Sequence, residues 1–323
     1  MWVPGALRRG AALSRRILVT GGAGFIGGHL VERLVASRAE VAVLDDLSRG
    51  DPTWVPQGVA LHRVDVGDAA ALRTVVADLR PAAVVHLAAV HFIPEVDGAP
   101  ERARQVNIDG TRNLLDALAV SPPELVLFAS SGAVYPDRRG PIPESCPVGP
   151  SDLYGRTKVE GERAVARFAA DTGTRHVVAR LFNVIGSRET NPHVVPELVR
   201  QLRRGETPVR LGALDRVRDY TDVVDVANAL ALLLETPLGE RLSVVNVGSG
   251  TGTSVRDLVA TCEGILGHAI AVEVDPRRQR AQDRAELVAD VEVLRSVVSP
   301  WPSRTVEQTL QQLLTDRSGG ARA

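Results

Sequence analysis

Aromatic side chains make up 3% of this 323-residue chain, lysine occurs once and cysteine twice, and acids and bases nearly cancel to a formal charge of −1. Each scarcity excludes something. Nucleic-acid binding draws on a basic surface that releases counterions and on aromatic platforms for the bases. Neither is visible, so no nucleic-acid partner is expected. Cys146 and Cys262 are too few and too far apart for a disulfide framework or a cysteine metal site, which fits a reducing, cytoplasmic setting and gives no reason to expect a metal. No run approaches the ~18 apolar residues of a membrane span, so no membrane association is expected. The opening segment carries Arg8, Arg9, Arg15 and Arg16 with no acid. It lacks the apolar core of a signal peptide and a strand follows at once, so residues 1–15 read as a disordered extension.

What is present stands out against that background. Lys158 is the single lysine; every other basic residue among the 38 lysines and arginines is arginine. A planar guanidinium cannot replace a compact, rotatable ammonium packed against a phenol and a ribose. Lys158 closes the pentapeptide Tyr154-Gly-Arg-Thr-Lys158, one helical turn after Tyr154. By spacing alone the two could simply share a helix face. The three tyrosines, Tyr135, Tyr154 and Tyr220, each fall inside a candidate site motif, which points to chemistry rather than packing.

Hydrophobic periodicity sets the architecture. Strand-like runs at Arg16–Thr20, Val41–Asp45, Leu61–Val66, Ala83–Leu87, Leu125–Ser130 and His176–Phe182 alternate with helical patterns at Phe25–Ser37, Ala69–Leu79, Ala103–Ala119 and Leu153–Ala170. Such alternation predicts an α/β fold: a doubly wound parallel Rossmann sheet with ligands at the carboxyl ends of its strands. After Phe182 the pattern loosens into shorter helices (Val194–Arg204, Asp222–Leu234, Val255–Leu266, Val306–Leu314) and strands at Ser243–Val247 and Ala271–Val274. The expected division is therefore a dinucleotide-binding domain over 16–182 and a smaller α/β substrate lobe over 183–323.

Directly after the first strand, Thr20-Gly-Gly-Ala-Gly-Phe-Ile-Gly27 places Gly22, Gly24 and Gly27 as G-x-G-x-x-G. Glycines permit a tight turn and close backbone approach, and the helix that follows points its free amides at a pyrophosphate. Asp45 ends the second strand, 18 residues after Gly27, where a carboxylate can accept from the adenosine ribose hydroxyls. Such a carboxylate repels a 2′-phosphate, which favours NAD over NADP, although Arg49 lies close by.

With Gly21-x-x-Gly24-x-x-Gly27, Asp45, Ser131 and Tyr154-x-x-x-Lys158 in one chain, the sequence resembles the extended short-chain dehydrogenase/reductases, and among them the nucleotide-sugar epimerases and dehydratases. The resemblance runs from about Arg16 to the last helix. It implies bound NAD contacted by Gly21, Gly24, Phe25, Ile26, Gly27, Asp45, Asp46, Asp65, Val66, Leu87, Ala88, Ala89, Asn107, Tyr154 and Lys158. It further assigns Ser131, Asn183, Arg218, Arg280 and Asp283 to a nucleotide-diphosphate sugar, and implies a homodimer formed through the helices holding Asn107 and Tyr154. Asn107 could equally satisfy a nearby backbone carbonyl.

Free tyrosine titrates near ~10, so Tyr154 as a base needs a nearby cation, and Lys158 is placed to supply it. Tyr154 would take the proton of a sugar hydroxyl, with Ser131 hydrogen-bonding the same oxygen. The resemblance implies that 4,6-dehydratases carry an Asp-Glu pair after the serine and decarboxylating relatives a Glu; here Gly132-Ala133 follows. Without that acid or base, re-reduction from the opposite face gives a 4-epimer. Rival readings are a nucleotide-sugar 4-ketoreductase or dehydrogenase, a 2-epimerase, a 4,6-dehydratase, and a non-enzymatic NAD-binding redox sensor. Arg218 suits a diphosphate through bidentate bonds, Arg280 comes next, and Arg216, Arg277 and Arg278 read as surface charges. His91 and His193 show no partner in the sequence, and Cys146 reads as inert.

Overall fold

A computed structural model describes residues 16–236, 243–278 and 284–316. The extension over residues 1–15 and the pair Arg280 and Asp283 lie outside the described residues.

The chain begins with β1 (Arg16–Thr20), α1 (Phe25–Ala36), β2 (Glu40–Asp45), β3 (Ala60–Arg63), α2 (Ala69–Leu79) and β4 (Ala83–His86). Next, α3 (Ile93–Gly98) and α4 (Pro100–Arg104) lead through a π-helical turn at Gln105–Asp109 into α5 (Gly110–Leu118). The expected single helix over Ala103–Ala119 is thus split by this turn, closed by the Gly110 amide on the Gln105 carbonyl. The wider turn buries both Val106 and Asn107, as such insertions often do beside functional sites. β5 (Leu125–Ser131), α6 (Leu153–Thr172) and β6 (Arg175–Leu181) complete the alternation.

Beyond β6 come β7 (Asn183–Ile185), α7 (Val194–Arg203), β8 (Val209–Leu211), β9 (Val217–Asp222), α8 (Val223–Glu235) and β10 (Val244–Val247). β11 (Gly252–Ser254), α9 (Val255–Leu266), β12 (Val272–Val274), β13 (Glu286–Leu287), α10 (Glu292–Val297) and α11 (Val306–Thr315) follow.

Seven strands form one parallel sheet in the order β10-β6-β5-β4-β1-β2-β3. Side chains alternate across it, as the strand period of two requires. Ile17 and Val19 pack into one core with Leu30 of α1 and Leu230 of α8. Leu18 faces the other, with Leu72 of α2, Leu114 of α5 and Phe168 of α6. Covered on both faces, these strands read as near-continuous apolar runs, which is why periodicity located them. The order reverses between β4 and β1, and the crevice that results at the carboxyl ends is where a doubly wound sheet binds ligands.

A second, four-stranded sheet of β11, β9 and β13, with β7 on β9, and a two-stranded sheet of β12 and β8 make the smaller lobe. Ile185, Leu198, Leu211, Leu258 and Leu310 form its core. β10 and α8 lie late in sequence and nevertheless belong to the large sheet and its helical cover.

Candidate active site

A cleft of about 560 Å³ opens where the carboxyl ends of the large sheet meet the smaller lobe. Its first stretch fits a dinucleotide. No side chain caps the N-terminus of α1 and no acid stands in its first turn, so the leading amides face the cleft unscreened. A Cβ at Gly27 would stand 2.0 Å from the Gly21 carbonyl oxygen, and Gly21 itself has φ +72. Only glycine allows that approach of helix to turn.

Asp45 is buried at the end of β2, and its carboxylate accepts from the amides of Ala23 (3.0 Å) and Leu47 (2.9 Å). Burial raises its pKa against those bonds. The carboxylate therefore braces the glycine turn and keeps lone pairs for a ribose. Arg102 joins Asp65 (2.7 Å) and Asp46 (3.5 Å) across the ends of β3 and β2. Arg49, the residue that clouded the preference for NAD, is engaged by Glu95 at 2.7 Å. Gly21, Gly24, Phe25, Ile26, Gly27, Asp45, Asp46, Asp65, Val66, Leu87, Ala88 and Ala89 all line the cleft.

Asn107 does not. It is buried behind the wall, its Oδ1 accepting from the Val90 amide (2.8 Å) and its Nδ2 donating to the Val90 carbonyl (2.9 Å) and Thr157 Oγ1 (3.0 Å). With both ends of its amide engaged by protein, it shapes the segment leading to His91 rather than reaching a ligand.

Ser131, Tyr154 and Lys158 come together on the cleft wall. Ser131 ends β5, and its Oγ accepts from the Ala133 amide at 3.1 Å. Asp152 caps α6 through the Gly155 amide at 2.6 Å, which fixes Tyr154 and Lys158 in the first turns of that helix. Burial pushes the Tyr154 phenol above its ordinary value, and the neighbouring Ser131 hydroxyl pulls it back down. Lys158 is 4% exposed. Its Nζ donates to the Ala129 carbonyl at 2.8 Å and lies 5.8 Å from the centre of the Tyr154 ring. Burial lowers its pKa to about 8, opposed by Glu162. One ammonium proton is held by the strand, and the other two face away from it.

Behind these groups runs a buried polar chain. Glu162, one turn after Lys158, accepts from Ser130 Oγ (2.5 Å) and from Arg180 through two bonds of 2.9 and 2.7 Å. Arg180 donates on to the Tyr135 hydroxyl (2.9 Å), which donates to Asn246 Oδ1 (2.7 Å). Tyr135 is fully buried, with its phenol pushed up to about 12 by burial, and does not line the cleft. Its motif position suggested chemistry; its hydrogen bonds make it part of the core. His86 is likewise internal. Thr111 Oγ1 donates to the Asn107 carbonyl, so it accepts from His86 Nε2 at 2.9 Å, and Nδ1 accepts from Thr20 Oγ1 at 2.6 Å. Burial lowers the His86 pKa to about 3 and keeps the ring neutral.

From the smaller lobe, Asn183, Tyr220 and Arg218 line the cleft. Arg218 donates to the carbonyls of Val217 (2.8 Å) and Arg284 (2.9 Å). Arg216 and Arg278, read from sequence as surface charges, also line it, and Arg278 pairs with Glu197 at 2.9 Å. Arg277 stays outside, 87% exposed along its side chain. Sequence reasoning missed Arg284, whose buried guanidinium donates to the Ala133 carbonyl (2.9 Å) and Ser151 Oγ (3.2 Å), tying the loop after Ser131 to the approach of Tyr154. It missed also that His91, His193 and Glu189 converge. The histidine rings stack 6.2 Å apart, and the three ligand atoms lie within 4.8 Å of one another. Cys146 is a free, half-buried thiol outside the cleft.

The family model described as the NAD dependent epimerase/dehydratase family matches residues 17–248. The UDP-glucose 4-epimerase of Streptomyces lividans is 33% identical over 308 residues, covering 90% of this chain and 93% of that protein. The GDP-6-deoxy-D-mannose reductase of Pseudomonas aeruginosa is 31% identical over 313 residues, covering 94% and 97%. The crystal structure of Thermus thermophilus UDP-glucose 4-epimerase in complex with NAD superposes with a TM-score of 0.84 at 32% identity, covering 93% of this chain and 97% of that one.

Proposed function

The chain belongs to the NAD dependent epimerase/dehydratase family, and from that premise we propose that it inverts C4 of a nucleotide-diphosphate sugar, with NAD as its cofactor, through a transient 4-keto sugar. One observation carries the reading. Ser131, Tyr154 and Lys158 stand on the wall of the same cleft that fits a dinucleotide, and the loop after Ser131 offers Gly132 and Ala133 where elimination or decarboxylation would need an acid or base.

Bound NAD supplies the acceptor for the hydride from C4 and its return to the opposite face. The chain's own residues manage the proton and the position. Tyr154, once ionised, takes the proton of the C4 hydroxyl, and Ser131 hydrogen-bonds the same oxygen. Ionisation is opposed by burial of the phenol and by the Asp152 carboxylate, and Lys158, with Nζ 5.8 Å from the ring centre, is the positive charge placed to assist it. The remaining ammonium protons of Lys158 suit the cofactor ribose. Arg218, with Arg216 and Arg278 beside it, suits the substrate diphosphate, since guanidinium groups bind phosphate oxygens in pairs.

The test is incubation with UDP-, TDP-, GDP- and CDP-sugars, followed by NMR of the anomeric protons. The expected result is a new epimer with no net change in reduced cofactor, and a loss of about 10²-fold or more in turnover for Tyr154→Phe. No new signal from any sugar nucleotide would sink the proposal. The similarity to a reductase motivates the second reading, a 4-ketoreductase, which predicts stoichiometric consumption of reduced cofactor.

A cytoplasmic location fits the two free cysteines, and among the described residues no helix is long and apolar enough to cross a membrane. Cell fractionation would check it.

A further inference from the structure

We propose that His91, Glu189 and His193 form a site for a divalent transition-metal cation, of which Zn²⁺ is the natural candidate, on the wall of the cleft. Two imidazoles and a carboxylate are the donor set of an open zinc site, with a coordination position left for a ligand. Donor atoms held at ~2.0–2.1 Å around one Zn²⁺ stand about 3.3–3.5 Å apart. The three ligand atoms here lie within 4.8 Å of one another, so the set needs to draw in by up to about 1.4 Å to close on a metal.

Two further observations point to a cation. His91 presents the lone pair of Nε2 to Asn191 at the edge of the cluster. That lone pair receives the Asn191 Nδ2 amide at 3.1 Å, and the Asn191 backbone amide donates to Glu189 Oε1 at 2.9 Å. An N–H donor therefore sits on the imidazole lone pair where a cation would bind. In doing so, Asn191, 4% exposed, leaves its own Oδ1 buried without any hydrogen-bond partner. Rotation of that amide as a metal enters would free the His91 lone pair and turn the orphaned oxygen toward the cation. Finally, among the described residues Glu189 lines the cleft without an ion pair to any basic side chain, whereas Glu95, Asp65 and Glu197 on the same walls are each paired with an arginine.

All four residues line the cleft. A metal here would offer its open position to an oxygen of whatever occupies the cleft, a nucleotide sugar on the reading above. Metal binding itself does not depend on that reading.

The experiment is titration of the tag-free, NAD-loaded protein with Co²⁺, read by ligand-field absorption in the visible, followed by displacement with Zn²⁺. One Co²⁺ per chain, displaced by Zn²⁺, is expected. Affinity should fall at least about tenfold in Glu189→Gln, His193→Asn and His91→Asn, while Tyr154→Phe keeps the bands. Retention of NAD by each variant shows that the loss is of ligands and not of the fold. Absence of Co²⁺ bands in the parent protein, or bands unchanged in all three ligand variants, would overturn the site whether or not the protein proves to be an epimerase.

Discussion

Glu189 accepts a hydrogen bond from the amide of Asn191 at 2.9 Å, and burial still lifts its carboxyl from 4.5 to about 7. Between those two values the folded chain holds a proton there that the unfolded chain has lost. Stability therefore falls as pH rises across that window, and Glu189→Gln, which cannot ionise, should lack the slope. Melting curves of the two proteins, taken in chelator from pH 4.5 upward, should diverge in favour of the glutamine variant until pH reaches about 7. Parallel curves would show that Glu189 is not held in an uncompensated state. The same scale shows what the sequence could and could not reveal. Lys158 was legible because a single lysine among arginines is a compositional anomaly, and the Tyr154 spacing gave it a partner. Tyr135 carried the same compositional signal and turned out to be enclosed by Arg180 and Asn246, because motif position does not report burial. The convergence of His91 with Glu189 and His193 had no local signal: about a hundred residues separate the partners, and only the fold brings them together.

β5 and α6 together present the catalytic groups, and the Glu162–Arg180 pair fastens one to the other. Ala129 holds Lys158 and Ser130 bonds Glu162, so two consecutive residues at one strand end grip different turns of the helix. Replacing Glu162 by glutamine leaves the guanidinium of Arg180, 5% exposed, buried without its counter-charge, which costs about 3–5 kcal/mol. Urea unfolding should register that loss. The alkaline limb of the activity profile should also move to lower pH, since Glu162 is the charge that raises the Lys158 pKa. A loss below about 1 kcal/mol would mean that the pair does not secure this element. Elements of this length were readable from periodicity; α2 begins and ends where the pattern placed it, at Ala69 and Leu79. β7, β8 and β11, of three residues each, were missed, whereas β12, equally short, was found within the apolar run Ala271–Val274. β9 escaped as well. Its inward side includes Asp219, whose carboxylate gathers the amides of Ser249, Gly250 and Ala289 and so reads as polar loop.

At the scale of the molecule, the large sheet and its two helical layers followed from alternating strand and helix patterns, while the smaller lobe's pairing rests on contacts between distant short segments. The outer surface of α5 and α6 bears on assembly. Arg112 reaches both Asp109 (3.8 Å) and Glu160 (3.7 Å), and Glu160 pairs with Arg163 (2.8 Å). If two copies associate through this face, as the family resemblance implies, they bring these charged side chains together, and salt should shift the association. Light scattering should give a two-chain mass whose share changes as salt is added; a one-chain mass under all conditions would refute association there.

Lys158 also gives the protein a chemical handle of unusual selectivity. The chain holds a single ε-amine, it faces the cleft, and burial has brought its pKa to about 8, so a large share is unprotonated and nucleophilic at mildly alkaline pH. An amine-directed reagent therefore has two destinations, the α-amino group and Lys158. Labelling at the second, and its suppression by anything bound in the cleft, would report occupancy at one residue with no engineered probe.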